Sequence, residues 1–178
     1  MAPRNALRQE STIDADAALA ELYASHYAGL VRLAVLLLRD QGLAEDVVQD
    51  SFVAVHGRWR RIDQANAPAY LRQTVVNRCR SAMRHRAVVA RHRPDPLPDE
   101  AAADEAVLRH ERRDAVLDAL AQLPTRQREV LVLRHYLDLT EREIAATLDI
   151  SQGAVKSHAS RASAALRTHL AAILEENR

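Results

Sequence analysis

The stretch T140-EREIAATLDISQGAVKSHASR-A162 decides how the C-terminal third folds. Thr140 followed by Glu143 is a capping box, so a short helix starts there with Ile144, Ala145 and Leu148 turned inward. Leu148-Asp149-Ile150 reads as a turn; aspartate at its centre tolerates a left-handed backbone better than most residues. Ser151 is a good cap for a second helix, whose inward positions are Val155, Ala159, Ala162 and Leu166. Small residues at Ala145 and Ala154 allow the two helices to cross closely. The pattern predicts a helix-turn-helix, a motif whose second helix enters a DNA major groove. The outward face of that helix carries Gln152, Lys156, Ser157, Ser160 and Arg161, residue types that grip phosphate or read base edges. A solvated amphipathic helix would show the same periodicity, so the remainder of the chain has to decide.

Upstream, the sequence remains helical. Four glycines, one phenylalanine and abundant Ala, Leu and Arg among 178 residues favour helices and leave little material for strands. Apolar residues from Leu19 to Leu37 recur at three- and four-residue spacing and predict a helix over about 16–39, with Gly42 separating it from the next. A second helix is expected over about 43–57, facing Val47, Val48, Phe52, Val55 and Trp59 toward a core. "RWRRIDQANAP" (58–68) lacks periodicity and reads as a loop, after which Pro68 opens a third helix with Tyr70, Leu71, Val75, Cys79 and Met83 inward. "RPDPLPDEAAADEA" (93–106) is acidic and has prolines at alternate positions, so it reads as a linker. Beyond it a helix is expected over about 106–122, with Val107, Leu108, Val116, Leu117 and Leu120 inward, and another over about 125–136. The reading is all-α: two small helical domains joined by an acidic Pro-rich linker. The expected division is a flexible tail (1–13), an N-terminal domain (14–93), the linker (94–107) and a C-terminal domain with the helix-turn-helix (108–175).

The net charge of +1 conceals segregation. Residues 56–93 hold ten arginines against Asp63 alone, a net +9, while residues 1–55 and 94–114 each carry −4. Such a block is the footprint of a segment that meets a polyanion. It supplies Arg60, Arg61, Arg72, Arg78, Arg80 and Arg84, with Asp63, Gln64, Asn66, Tyr70 and Asn77 among them. Guanidinium planes and aromatic rings stack on unpaired bases while arginines hold the backbone, so this loop and helix suit single-stranded bases better than an intact duplex. Trp59 and Tyr70 fit a core better than a stacking platform, which leaves the loop's polar residues as the better base contacts. On the second helix the outward carboxylates of Asp46 and Asp50 flank Gln49 without a basic partner on the same helix, which fits either a simply solvated face or the polar rim of an interface with a basic protein surface. The single cysteine, Cys79, excludes an internal disulfide, and no cofactor or metal site is expected. The absence of an unbroken run of 18 apolar residues argues against membrane insertion, and the chain reads as cytoplasmic.

Together these segments resemble the extracytoplasmic-function group of bacterial sigma-70-type RNA polymerase sigma factors. The resemblance rests on "AEDVVQDSFV" (44–53), "AYLRQTVVNRCRS" (69–81), "LPTRQREVLVLRHYLDLTEREIAATLDIS" (123–151) and "GAVKSHASRA" (153–162), and covers about residues 14–174. It implies that Asp46, Gln49 and Asp50 dock on the clamp helices of the polymerase largest subunit. It implies that the segment from Arg60 to about Arg84 recognises and melts the −10 element and captures flipped non-template bases. It implies that the acidic linker threads toward the RNA exit path. The C-terminal domain would read the −35 element through Lys156, Ser157, Ser160 and Arg161 and hold the polymerase flap. An anti-sigma factor is an implied partner, and control by an appended C-terminal domain is not expected. His158-Ala159-Ser160 departs from the family's more frequent arginine and larger apolar residue, and Asp149 from a small residue in the turn. A dimeric helix-turn-helix regulator would account for residues 123–170 and leave the basic loop and acidic helix idle. A nuclease would need clustered carboxylates or paired nucleophile and base, which the spacing of His26, His56, His85 and His92 does not provide.

Overall fold

The computed structural model describes the backbone of residues 4–90 and 115–176, and side chains over 16–89 and 115–172. The expected linker (94–107) lies outside these residues. The order is α1 (Arg4–Leu38), α2 (Gln41–Arg58), two single 3-10 turns (Trp59–Arg61 and Gln64–Asn66), α3 (Ala67–Ala90), then α4 over 115–121, α5 (Thr125–His135), α6 (Glu141–Leu148) and α7 (Gln152–Glu176). Among the described residues there is no strand.

Helices α1, α2 and α3 pack on one another through the stripes read from the sequence. Leu30, Leu33, Ala34 and Leu37 of α1 meet Val48, Phe52 and Val55 of α2 and Leu71, Val75 and Cys79 of α3, all buried. Trp59 joins this core. At its edge Tyr23 stacks on Tyr27 with ring centroids 4.5 Å apart, and Tyr23 tilts onto Phe52 at 5.0 Å. Asp16–Leu38 is long and apolar enough to cross a membrane by length and composition, although charged residues interrupt it. Its inward stripe, however, is covered by α2, α3 and α5, as in a core helix.

The α1–α2 junction differs from the expectation. Arg39, rather than Gly42, takes the left-handed conformation that ends α1, at φ 58°. The cause is Asp40, whose carboxylate accepts from the Leu43 N–H at 2.9 Å and so caps α2 immediately. The reversal is confined to the residue before that cap, and Gly42 falls inside the first turn of α2. Arg39 also pairs with Asp118 of α4. α1 begins at Arg4, through residues expected to form a flexible tail.

In the C-terminal half, α6 opens on the anticipated capping box: Thr140 Oγ1 accepts from the Glu143 N–H at 3.3 Å, and Glu143 accepts from the Thr140 N–H at 2.8 Å. α6 closes on Asp149 at φ 53° and ψ 56°, the left-handed turn the sequence predicted. Ser151 Oγ then accepts from the Ala154 N–H at 3.1 Å, at the start of α7. Ile144 and Leu148 of α6 pack with Val130 and Leu133 of α5 and with Val155, Ala159 and Ala162 of α7. In α4 the buried residues are Ala119 and Leu120; Val116, expected inward, is exposed.

The two halves also touch. α3 packs on α6 and α1 on α5, so the buried apolar residues of both form one continuous cluster. Arg128 of α5 donates to the Leu37 carbonyl of α1 at 2.7 Å, and to the Ala121 and Leu123 carbonyls at the end of α4 at 2.8 and 3.2 Å. The Tyr136 hydroxyl donates to the Gly29 carbonyl at 3.1 Å and accepts from Arg32 Nε at 3.0 Å.

Candidate nucleic-acid interface

The helix-turn-helix presents its predicted face intact. Val155, Ala159 and Ala162 are buried, and the 3.6-residue period therefore turns Gln152, Lys156, Ser157, Ser160 and Arg161 outward; all five are exposed. Lys156 is 70% exposed and lies 3.7 Å from Glu141 on α6. In water such a pair holds the ammonium only weakly and leaves it free to exchange that partner for a phosphate. Glu141 is also the acceptor of Arg134 Nη2 at 2.7 Å. A row of cationic and hydroxyl groups on one exposed helix face, with no apolar side chain among them, matches the chemistry of a duplex groove and its phosphates.

The basic loop and α3 form the second face. Asp63 is the organiser of the loop: its carboxylate accepts from the Ala65 N–H at 3.2 Å and from the Asn66 amide at 2.7 Å. This Asx-type turn leaves Arg60, Arg61, Gln64 and Asn66 exposed around it. Beneath the loop, Trp59, Gln64, Pro68 and α1 residues Ser25 and His26 line a cavity of about 340 Å³. Trp59 is buried and its indole N–H has no acceptor. A second, larger groove of about 570 Å³ runs between α2 and α3, with Arg58, Tyr70, Asn77 and Arg78 on its walls. There the Tyr70 hydroxyl accepts from Arg58 Nη1 at 3.2 Å, and Thr74 donates to the Tyr70 carbonyl at 2.9 Å.

The arginines of α3 do not share one environment. Arg84 is exposed and donates to Ser81 at 3.2 Å. Arg78 reaches across to Asp50 of α2 at 3.1 Å, so the acidic face does have a basic partner, on another helix. Arg72 is half-buried against α6, where burial lowers its pKa and the Glu143 carboxylate opposes that shift. Arg80 is held by Glu129 of α5 at 2.9 and 3.0 Å, with a further bond to Asn77 at 3.1 Å. Periodicity had placed all of these on outward faces of α3; the packing of α5 and α6 divides them into open and covered sets.

On α2, Asp46, Gln49 and Asp50 are exposed together. Sequence reading missed Val53, one turn further on and 71% exposed, which adds an apolar group to the same face. It also missed Arg58, although the charge block that begins there was the signal that could have found it. Among the described residues no cluster of His, Cys, Asp or Glu could hold a metal ion.

The comparisons with known proteins match both halves of the chain. A family model described as Sigma-70 region 2 matches residues 22–89, and one described as Sigma-70, region 4 matches residues 113–166. The chain is 37% identical over 144 residues to the RNA polymerase sigma-E factor of Streptomyces coelicolor, covering 80% of each protein. It is 34% identical over 163 residues to the ECF RNA polymerase sigma factor SigL of Mycobacterium tuberculosis, covering 88% of this chain and 91% of that one. Among solved structures it is similar to CnrH in complex with the cytosolic domain of CnrY, with a TM-score of 0.65, 27% identity, and coverage of 94% of this chain and 98% of that one. RpoE of Bartonella quintana, solved with the anti-sigma factor NepR, matches at a TM-score of 0.59 and 22% identity, a likeness of fold.

Proposed function

Given that the chain belongs to the extracytoplasmic-function group of the sigma-70 family, we propose that it directs core RNA polymerase to promoters through two separate DNA faces. It is an initiation factor and not an enzyme, and it acts where the polymerase acts, in the cytoplasm. The observation that carries the reading is the pairing in one chain of an exposed recognition face on α7 with an arginine-walled groove and an Asp63-organised loop at α3.

In this reading α7 enters the major groove of the −35 element. Lys156 and Arg161 supply charge, and Gln152, Ser157 and Ser160 supply donors and acceptors to base edges and phosphates. The loop from Arg60 to Asn66 and the start of α3 engage the −10 element after it opens. Asp63 acts through the loop, holding Asn66 and the 64–66 turn in place, rather than by touching anionic DNA. Tyr70, Asn77 and Arg78 line a groove of about 570 Å³ in which the polar side chains can meet the opened strand, and the exposed polar residues of the loop, Gln64 and Asn66, are the groups that meet its bases. Asp46, Gln49, Asp50 and Val53 form the polymerase-docking face, a carboxylate rim around an apolar contact, directed at the clamp helices of the largest subunit. The C-terminal half holds the flap. CnrH and the Bartonella RpoE were both solved with a bound partner, the latter an anti-sigma factor, which supports an anti-sigma partner for this chain as well.

Run-off transcription with purified core polymerase on a library of promoter fragments tests the reading. Initiation that core alone lacks is the expected result. Tight duplex binding without core, and no initiation in its presence, would replace the reading with a free-standing DNA-binding regulator.

A further inference from the structure

Two carboxylates stand in the first turn of α6, and the capping box uses only one of them. Glu143 closes onto the Thr140 N–H, whereas Glu141 engages the two neighbouring helices. Its Oε1 accepts from Arg134 Nη2, in the last turn of α5, at 2.7 Å, and its Oε2 lies 3.7 Å from Lys156 Nζ on α7. These two contacts are unequal. The side chains of Arg134 and Glu141 are 34% and 30% exposed, against 70% for Lys156. The carboxylate is therefore anchored from α5, and Lys156, the single lysine of the chain, is the looser member. The helix dipole accounts for an acid in the first turn of α6. It does not account for placing that acid beside an ammonium on the DNA-reading face, where a negative charge opposes every phosphate.

We infer that Glu141 is a positioning residue that sets base specificity through Lys156, turning the ammonium away from phosphate and toward a neutral acceptor on a base edge. The inference rests on the reading of α7 as the −35 face. The ammonium can leave Glu141, but the carboxylate, held by Arg134, stays where it is. A phosphate that takes Lys156 must then settle beside a fixed negative charge. The O6 and N7 acceptors of guanine carry no net charge and escape that repulsion. An ammonium also has three donors, so it can face a base edge without giving up the carboxylate. Glu141 thus weakens binding to sequences that offer Lys156 only a phosphate, and weakens it little where a base acceptor is in place. Specificity then comes from penalising the wrong partner as well as from contacting the right one.

The test uses the full chain with purified core polymerase. Its two probes are the promoter fragment that initiates best in the run-off assay and the same fragment with its −35 base pairs scrambled. Affinity for each is measured by competition for the parent, Glu141→Gln, Lys156→Ala and the double variant, with helix content checked by circular dichroism. Glutamine keeps an acceptor for Arg134 and removes only the charge. Glu141→Gln should bind the scrambled fragment on the order of fivefold more tightly, the scale of one screened carboxylate–phosphate repulsion, and the matched fragment almost as the parent does. Discrimination between the two fragments should fall by the same factor. In the Lys156→Ala background the loss of charge at Glu141 should leave discrimination unchanged. An equal gain on both fragments would overturn the inference, reducing Glu141 to a general repulsion. Lost discrimination that persists without Lys156 would overturn the route through the lysine. A parent that initiates yet binds both fragments equally would overturn it through its premise, because α7 would then hold DNA without reading it.

Discussion

Replacing Arg128 should cost this protein more stability than replacing any of its exposed arginines. Its guanidinium reaches the Leu37 carbonyl at 2.7 Å and the Ala121 carbonyl at 2.8 Å, with Leu123 more distant at 3.2 Å. Leu37 lies in the last turn of α1 and Ala121 at the end of α4, so these carbonyls have no partners within their own helices. One planar cation thus closes two helix ends that converge on α5, where the negative ends of both helix dipoles also favour it. A hydrogen bond to a charged donor contributes about 1.5–3 kcal/mol, and the half-burial of the guanidinium offsets part of the sum. Arg128→Met should therefore lose about 3 kcal/mol, which for a chain of this size lowers Tm by roughly 6–12 °C. Arg128→Lys should recover less than half, because a single ammonium lacks the fork that spans both helix ends. Thermal unfolding followed by circular dichroism at neutral pH measures both. A lysine variant as stable as the parent, or a methionine variant within about 1 kcal/mol of it, would refute the two-helix capping role.

Asp46→Arg combined with Asp50→Arg should abolish association with core polymerase in a gel-filtration or pull-down assay, while the isolated −35 duplex still binds; equal loss of both would mean misfolding. Lys156→Ala should weaken −35 binding by about 1–3 kcal/mol with relaxed preference at one base if the ammonium reads a base edge, and uniformly across sequences if it holds a phosphate. Thr140→Ala removes the capping-box hydroxyl and should cost about 1 kcal/mol in a denaturant titration. Asp40 and Glu143 both titrate below the usual carboxylate range, Asp40 chiefly through the Leu43 N–H and then Arg86, Glu143 chiefly through the Thr140 hydroxyl and N–H. A folded-state pKa below the unfolded value adds stability that is complete above the unfolded pKa of about 4 and is lost as pH falls through the folded value. Acid unfolding curves of Asp40→Asn and Thr140→Ala should accordingly be shallower than the parent's below that pH, and parallel curves would reject the assignment.

The features legible in the sequence were those carried by one element or by a short run. Thr140 with Glu143, the left-handed Asp149 and the outward row on α7 all follow from spacings of a few residues. The buried stripes of α1, α2 and α3 follow from a single period. Periodicity gives the direction of a side chain about its own axis but not which distant helix arrives to cover it. Nothing local pairs Arg80 with Glu129, 49 positions on, until α5 is laid on α3. The same gap explains Arg78, whose Asp50 partner is on another helix, and Val116, whose apolar side chain was assigned inward and is exposed. The α1–α2 turn was misplaced because a glycine invites a left-handed reading, whereas the Asp40 cap fixes where α2 must start. Asp63 was grouped with DNA-contacting residues on its position in the loop, and its bonds to Ala65 and Asn66 give it a structural part there.

The long reach of the Tyr136 hydroxyl to the Gly29 carbonyl, across 107 positions, has a kinetic consequence. Helices α1 to α3 can form and pack while the chain is still being synthesised, because their contacts are comparatively local. The seam cannot close until α5 has left the ribosome. Folding should therefore end in a docking step, and a pulse-labelling hydrogen-exchange experiment should find the amides of α2 and α3 protected before those of α5 and α6.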